Sequence, residues 1–237
     1  KAVLNGDHYI VNGQKTWTTM AQHANLMFCL VRTSDEGKKQ EGISFLLIDM
    51  EQPGVTVQPI KTIDGSVEIN NVFLEDVKVP VANRVGEENK GWTYAKYLLG
   101  HERTSIAAVG RSKAQLKRLK TIASAEEQDG KPLINDPTFK EKIADIEISL
   151  LALESLVLRV LSDESAGKGP GPEASFLKIR GTEVQQGITE LLIEAIGNYA
   201  HPFVPESMET GWNENPIGPE HAASIAPHYF NWRKASI

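Results

Sequence analysis

Glu102 stands beside Arg103 in the run Tyr97-Leu98-Leu99-Gly100-His101-Glu102-Arg103-Thr104-Ser105-Ile106-Ala107, an otherwise apolar stretch that reads as a helix. A carboxylate held among Leu, Ile and Ala loses hydration, so its pKa rises toward the range where it can take a proton from carbon. Read locally, the same pair also fits a solvated or ion-paired helix face. The remaining reactive side chains narrow the chemistry. His8, His23, His101, His201, His221 and His228 are scattered, with no metal-ligand spacing to acids or thiols, which predicts no metal site. Cys29 lies in the apolar run Leu26-Met27-Phe28-Cys29-Leu30-Val31 and is expected to be a buried thiol rather than a nucleophile. Neither a Gly-x-Gly-x-x-Gly fingerprint nor a P-loop occurs, so dinucleotide-fold and nucleotide-triphosphatase readings fail.

The elements that must position these groups follow from composition and periodicity. With 237 residues, the chain is long enough for one large or two modest domains. Lys+Arg number 25 against 31 Asp+Glu, a net charge of −6, and no basic block offers a surface for nucleic acid. A single cysteine excludes an intrachain disulfide and suits a reducing compartment. No run reaches the roughly 18 apolar residues of a membrane span, and no signal-peptide pattern opens the chain. The expected setting is soluble and cytoplasmic.

Short β-branched runs between breakers predict strands over the first ~85 residues. Asp7–Trp17 reads as a hairpin turning at Asn12-Gly13, with further strands at Leu26–Arg32, Ile43–Asp49, Val55–Pro59, Ser66–Leu74 and Val77–Val79. Evenly spaced strands without intervening helices predict an antiparallel β-barrel or sandwich. After Pro80 the spacing becomes helical. One long segment is expected at about 90–126, a second at Thr138–Ser165 started by Asp136-Pro137, and a third at about 173–196 stopped near Gly197. Gly167 to Pro172 reads as an exposed connection, and a last helix is expected from near Pro219 to Ile237. The chain is therefore α+β: a β-domain over 1–86 followed by an up-and-down four-helix bundle over 87–237. Both ends read as cut, as if the chain were part of a longer protein.

Several motifs in order carry a family resemblance. Tyr9-Ile10-Val11-Asn12-Gly13-Gln14-Lys15-Thr16-Trp17-Thr18-Thr19, Gly42–Asp49 and Pro53-Gly54-Val55 resemble the middle domain of acyl-CoA dehydrogenases. Val72–Pro80 resembles the exit from that domain, Gly86 through Trp92 the entry to the C-terminal bundle, and Asn231–Ile237 the segment before the family's Gly-rich, flavin-side motif. Within the family, the chain resembles large subunits of bacterial heteromeric enzymes such as pimeloyl-CoA dehydrogenase. The resemblance implies that the family's N-terminal helical domain and its final stretch lie outside these residues.

The resemblance implies FAD, an acyl-CoA substrate, and removal of two hydrogens from its α and β carbons. A carboxylate takes the α proton, and the flavin carries the redox step. In a subset of members the base lies in a Glu-Arg pair on the first long helix of the C-terminal domain; Glu102 falls there, with Arg103 bracing the helix or the substrate pocket. The alternative is a base beyond Ile237. Trp17 and Thr19 inherit flavin contacts and Thr18 stands between them; otherwise, Trp17 would be a core aromatic, and the threonines simply strand formers.

Two departures bear on assembly. Homo-oligomeric members grip the neighbouring subunit's FAD pyrophosphate with Arg-x-x-Phe, where this chain has Glu126-Glu127-Gln128-Asp129, and with Gln-x-x-Gly-Gly, where it has Glu194-Ala195-Ile196-Gly197-Asn198. Acids there repel a diphosphate; a local slip of the alignment in a variable turn is the other explanation. The departure implies a hetero-oligomer in which a second acyl-CoA dehydrogenase-like subunit supplies the clamp; the family resemblance implies an electron-transferring flavoprotein as electron acceptor. The competing readings are an acyl-CoA oxidase and a catalytically silent partner subunit.

Overall fold

The first hairpin turns at Gly6-Asp7, because Asn5 faces His8 across those two residues. The expected turn at Asn12-Gly13 is absent: both residues lie inside one strand. In this computed structural model, which describes residues 1–168 and 171–236 apart from the side chains of residues 101–106, 174 and 208, the chain divides into two units. One comprises Lys1–Thr62 with Ser66–Leu99, the other Ile63–Gly65 with Gly100–Ile237.

The first unit holds β1 (Ala2–Asn5), β2 (His8–Thr19), β3 (Leu26–Arg32), β4 (Ile43–Asp49), β5 (Val55–Ile60), β6 (Ile69–Pro80) and β7 (Arg84–Val85). They form two antiparallel sheets, ordered β1-β2-β6-β5 and β3-β4-β7, the open sandwich alternative rather than a closed barrel. Alternation puts Tyr9 and Val11 of β2, Cys29 and Val31 of β3, and Leu46 and Ile48 of β4 into one core. Burial raises the Cys29 thiol pKa, so it is an inert structural thiol.

Asn12-Gly13 pairs with β6 where β6 carries an extra residue: Val11 faces Val77, and Gly13 faces Leu74. The bulged Asp76 adopts φ +51°, and its N–H donates to Asn12 Oδ1 at 2.8 Å while Asn12 Nδ2 donates to Asp76 Oδ1 at 2.8 Å. Asn12 thus fills the gap left by the bulge instead of making a turn. The same bulge joins the two strands expected at Ser66–Leu74 and Val77–Val79 into one.

The entry to the first helix, α1 (Gly91–Ile106), is anchored on β4. A Cβ at Gly91 would stand 2.6 Å from the Ser44 carbonyl carbon, so only glycine permits this approach. Ser44 Oγ accepts from the Asn89 backbone N–H at 2.8 Å, and Thr33 Oγ1 donates to Asn89 Oδ1 at 2.7 Å.

The second unit holds α2 (Val109–Ala125), the short pair β8 (Glu127–Gln128) and β9 (Lys131–Pro132), α3 (Pro137–Ser165), α4 (Glu173–Ile196) and α5 (Ile225–Trp232). The single long helix expected at about 90–126 is broken at Ala107–Ala108, where Ala108 turns to φ +44°. Asp136 caps α3 by accepting from the Phe139 N–H at 2.8 Å, as the Asp-Pro signal predicted. The last helix starts at Ile225 rather than near Pro219, because Pro219–Ser224 closes short turns through Ala222 N–H to Pro219 O and Ile225 N–H to Ala222 O. It passes into a tighter 3-10 turn at Arg233–Ser236. Leu119, Phe139, Leu177, Ile188, Leu192 and Ile225 centre the helical core.

Candidate functional site

The strand end Trp17-Thr18-Thr19 collects several conformational costs in one place. Lys15 faces Val72 and Thr18 faces Asn70, so β2 inserts one extra residue there, opposite Asn71. This second bulge sets Trp17 at φ +66°, a left-handed conformation costing a non-glycine residue about 1–3 kcal/mol. It also turns the indole outward: Trp17 is 67% exposed, which rules out the core-aromatic alternative. Met20, just past the strand, adopts φ +57°, and its N–H donates to Glu68 O at 2.7 Å. Bulges of this kind re-aim side chains beside functional sites.

Behind the bulge lies a polar side chain with no exposure at all. Asn70 Nδ2 donates to Thr18 O at 3.0 Å and to Gln22 Oε1 at 2.6 Å, and Gln22 Nε2 donates to Val67 O at 2.8 Å. Among the described residues, Asn70 Oδ1 is buried without a hydrogen-bond partner, an omission that costs about 1–3 kcal/mol. Thr18 is half-buried and Thr19 exposed at the end of β2. Sequence reasoning missed Asn70 and Gln22. A hint was present: Asn70-Asn71 interrupts an otherwise β-forming run, where asparagine is depleted.

Glu102 and Arg103 lie on α1, but their side chains are outside the described residues. The acids at the expected diphosphate clamp have cationic or basic neighbours within the second unit. His221 Nε2 lies 2.9 Å from a Glu126 carboxylate oxygen, and Lys142 Nζ donates to Glu194 at 2.6 and 2.8 Å.

Two family models cover most of the chain. Residues 1–77 match the acyl-CoA dehydrogenase middle domain, and residues 89–215 match the acyl-CoA dehydrogenase C-terminal domain. The chain belongs to the acyl-CoA dehydrogenase family. One relative is the acyl-CoA dehydrogenase FadE29 of Mycobacterium tuberculosis, 35% identical over 88% of this chain and 53% of its own. Another is the cyclohexane-1-carbonyl-CoA dehydrogenase of Syntrophus aciditrophicus, 31% identical over 88% of this chain and 56% of its own. The chain spans about half the length of the curated relatives it matches. Among solved structures, a chain of the ChsE4-ChsE5 complex from Mycobacterium tuberculosis superposes with a TM-score of 0.81 at 29% identity, over all of this chain and 58% of that one. An acyl-CoA dehydrogenase from Geobacillus kaustophilus superposes at 0.82 and 26% identity, over all of this chain and 59% of that one.

Proposed function

We propose that the protein removes two hydrogens from the α and β carbons of an acyl-CoA thioester. Glu102 is the base that takes the α proton, a role that asks for a carboxylate with a raised pKa. Arg103 braces the helix that carries it or the adjoining substrate pocket. Trp17 offers the flat apolar surface for the cofactor ring, and the Thr18 and Thr19 backbone and hydroxyls border it. FAD, when bound, supplies the two-electron acceptor for the β hydrogen. The observation that carries this reading is the exposed indole of Trp17 on its bulge: an aromatic face held outward by a costly backbone conformation fits a ring ligand. Family membership supports the same assignment.

The protein is the base-bearing subunit of a hetero-oligomer, in which a second acyl-CoA dehydrogenase-like subunit supplies the diphosphate clamp. The acids Glu126 and Glu194, each engaged by a neighbour in its own chain, support this. An electron-transferring flavoprotein reoxidises the cofactor, in the cytoplasm.

Glu102→Gln in the full-length protein, assembled with its companion subunit, tests the chemistry. FAD stays bound and turnover with CoA thioesters drops by orders of magnitude, because the proton acceptor is gone. Unchanged turnover would place the base elsewhere.

A further inference from the structure

We propose that Asn70 is a positioning residue for FAD binding, acting through Thr18 and Gln22 to hold the strand end that displays Trp17; this rests on the reading of Trp17–Thr19 above. Asn70 is fully buried in the interior of β6 and faces Thr18 in register. Its amide orientation is settled by chemistry: both Nδ2 contacts, Thr18 O at 3.0 Å and Gln22 Oε1 at 2.6 Å, are acceptors, and a flipped amide would set oxygen against oxygen. Through Gln22 Nε2 to Val67 O, the bonds run Thr18–Asn70–Gln22–Val67 and link the residue after the bulge to the segment entering β6.

A buried amide that served stability alone would have all its groups paired or would be replaced by an aliphatic side chain. Asn70 instead leaves Oδ1 buried and, among the described residues, unpartnered. That defect sits at the same strand end as two left-handed non-glycine residues, Trp17 and Met20. Three unfavourable features converging on one exposed indole are the signature of a conformation held for binding. The bond to Thr18 adds to the β6 pairing of Thr18 and Thr19 in fixing the chain neighbour of Trp17 and so in holding Trp17 out of an extended conformation. Asn70 touches neither substrate nor cofactor in this role; it acts through the backbone.

The test uses Asn70→Asp, close in shape but lacking the donor, with Gln22→Ala as a milder variant at a half-buried residue in case the first loses the fold. Trp17→Phe in each background isolates the Trp17 emission from that of Trp92, Trp212 and Trp232. In the flavin-free protein, Asn70→Asp shifts the Trp17 component while overall melting shows the fold intact. In the full-length protein assembled with its companion subunit, the Kd for FAD rises at least tenfold, the flavin spectrum changes, and Gln22→Ala gives a smaller change in the same direction. Unchanged Trp17 emission and unchanged FAD affinity in both variants would overturn the proposal. A shifted Trp17 emission with unaltered FAD affinity would also overturn it. If, in addition, Trp17→Phe alone left FAD affinity untouched, the flavin-facing reading itself would fall.

Discussion

Gly181 of α4 lies so close to Ala107 that a Cβ at position 181 would stand 2.7 Å from the Ala107 Cα. Ala107 is one residue past the end of α1, and Ala108 turns left-handed to start α2. The break in what periodicity presents as one helix thus coincides with a backbone-to-backbone approach that only glycine allows. Its location is five residues beyond Glu102.

Gly181→Ala therefore destabilises despite improving helix propensity. Overpacking costs about 1–3 kcal/mol, and alanine returns about 1 kcal/mol. The expected net loss lowers Tm by about 2–4 °C per kcal/mol for a chain of this size. Calorimetry decides it, and a Tm equal to or above wild type would show that the junction has room.

Trp17→Gly separates stability from binding. Glycine relieves about 1–2 kcal/mol of left-handed strain and gives back about 0.5–1 kcal/mol through its extra unfolded-state freedom. The indole is mostly exposed, so little burial is lost. Thermal stability is kept or slightly raised while FAD affinity falls at least tenfold. Tight FAD binding by this variant would remove Trp17 from the cofactor site.

His228 makes the helical unit sensitive to acid. Burial, then the charges of Arg118 and Arg111, hold its imidazole below the ordinary 6.5. The unfolded chain accordingly takes up this proton at a pH where the folded chain still resists it. The neutral-His228 contribution is complete above about pH 6.5 and is lost as pH falls toward the lowered folded value. Denaturant midpoints of wild type and His228→Gln between pH 7.5 and 5 should converge on acidification; parallel curves would exclude the assignment.

Assembly gives a further outcome. The full-length protein purified alone should hold FAD well below one per chain, and mixing with its companion subunit should raise occupancy toward one. Full occupancy in a homomer would refute the heteromeric reading. Exposing the anaerobically reduced complex to air then distinguishes a dehydrogenase, slow to reoxidise, from an oxidase.

Several features were legible from neighbouring residues alone. The strands Leu26–Arg32 and Ile43–Asp49 stand where alternation and β-branched residues put them, α3 starts at the Asp136-Pro137 signal, and α4 stops at Gly197. Cys29 is buried, as its apolar run implied. Each depends on periodicity or capping within a few residues, and that information is local.

Other features required partners distant along the chain. Asn12-Gly13, a strong turn signal by itself, became the filler of a bulge because Asp76 arrives opposite it. Trp17 was pushed outward by a register shift against β6, and Asn70, 52 residues away from Thr18, acquired a role only when the two strands paired. The α1–α2 break answers to Gly181 on a different helix. Short-range preferences cover a few kilocalories per mole, whereas strand register and helix contact bury whole faces at once, and where the two conflict the larger burial prevails.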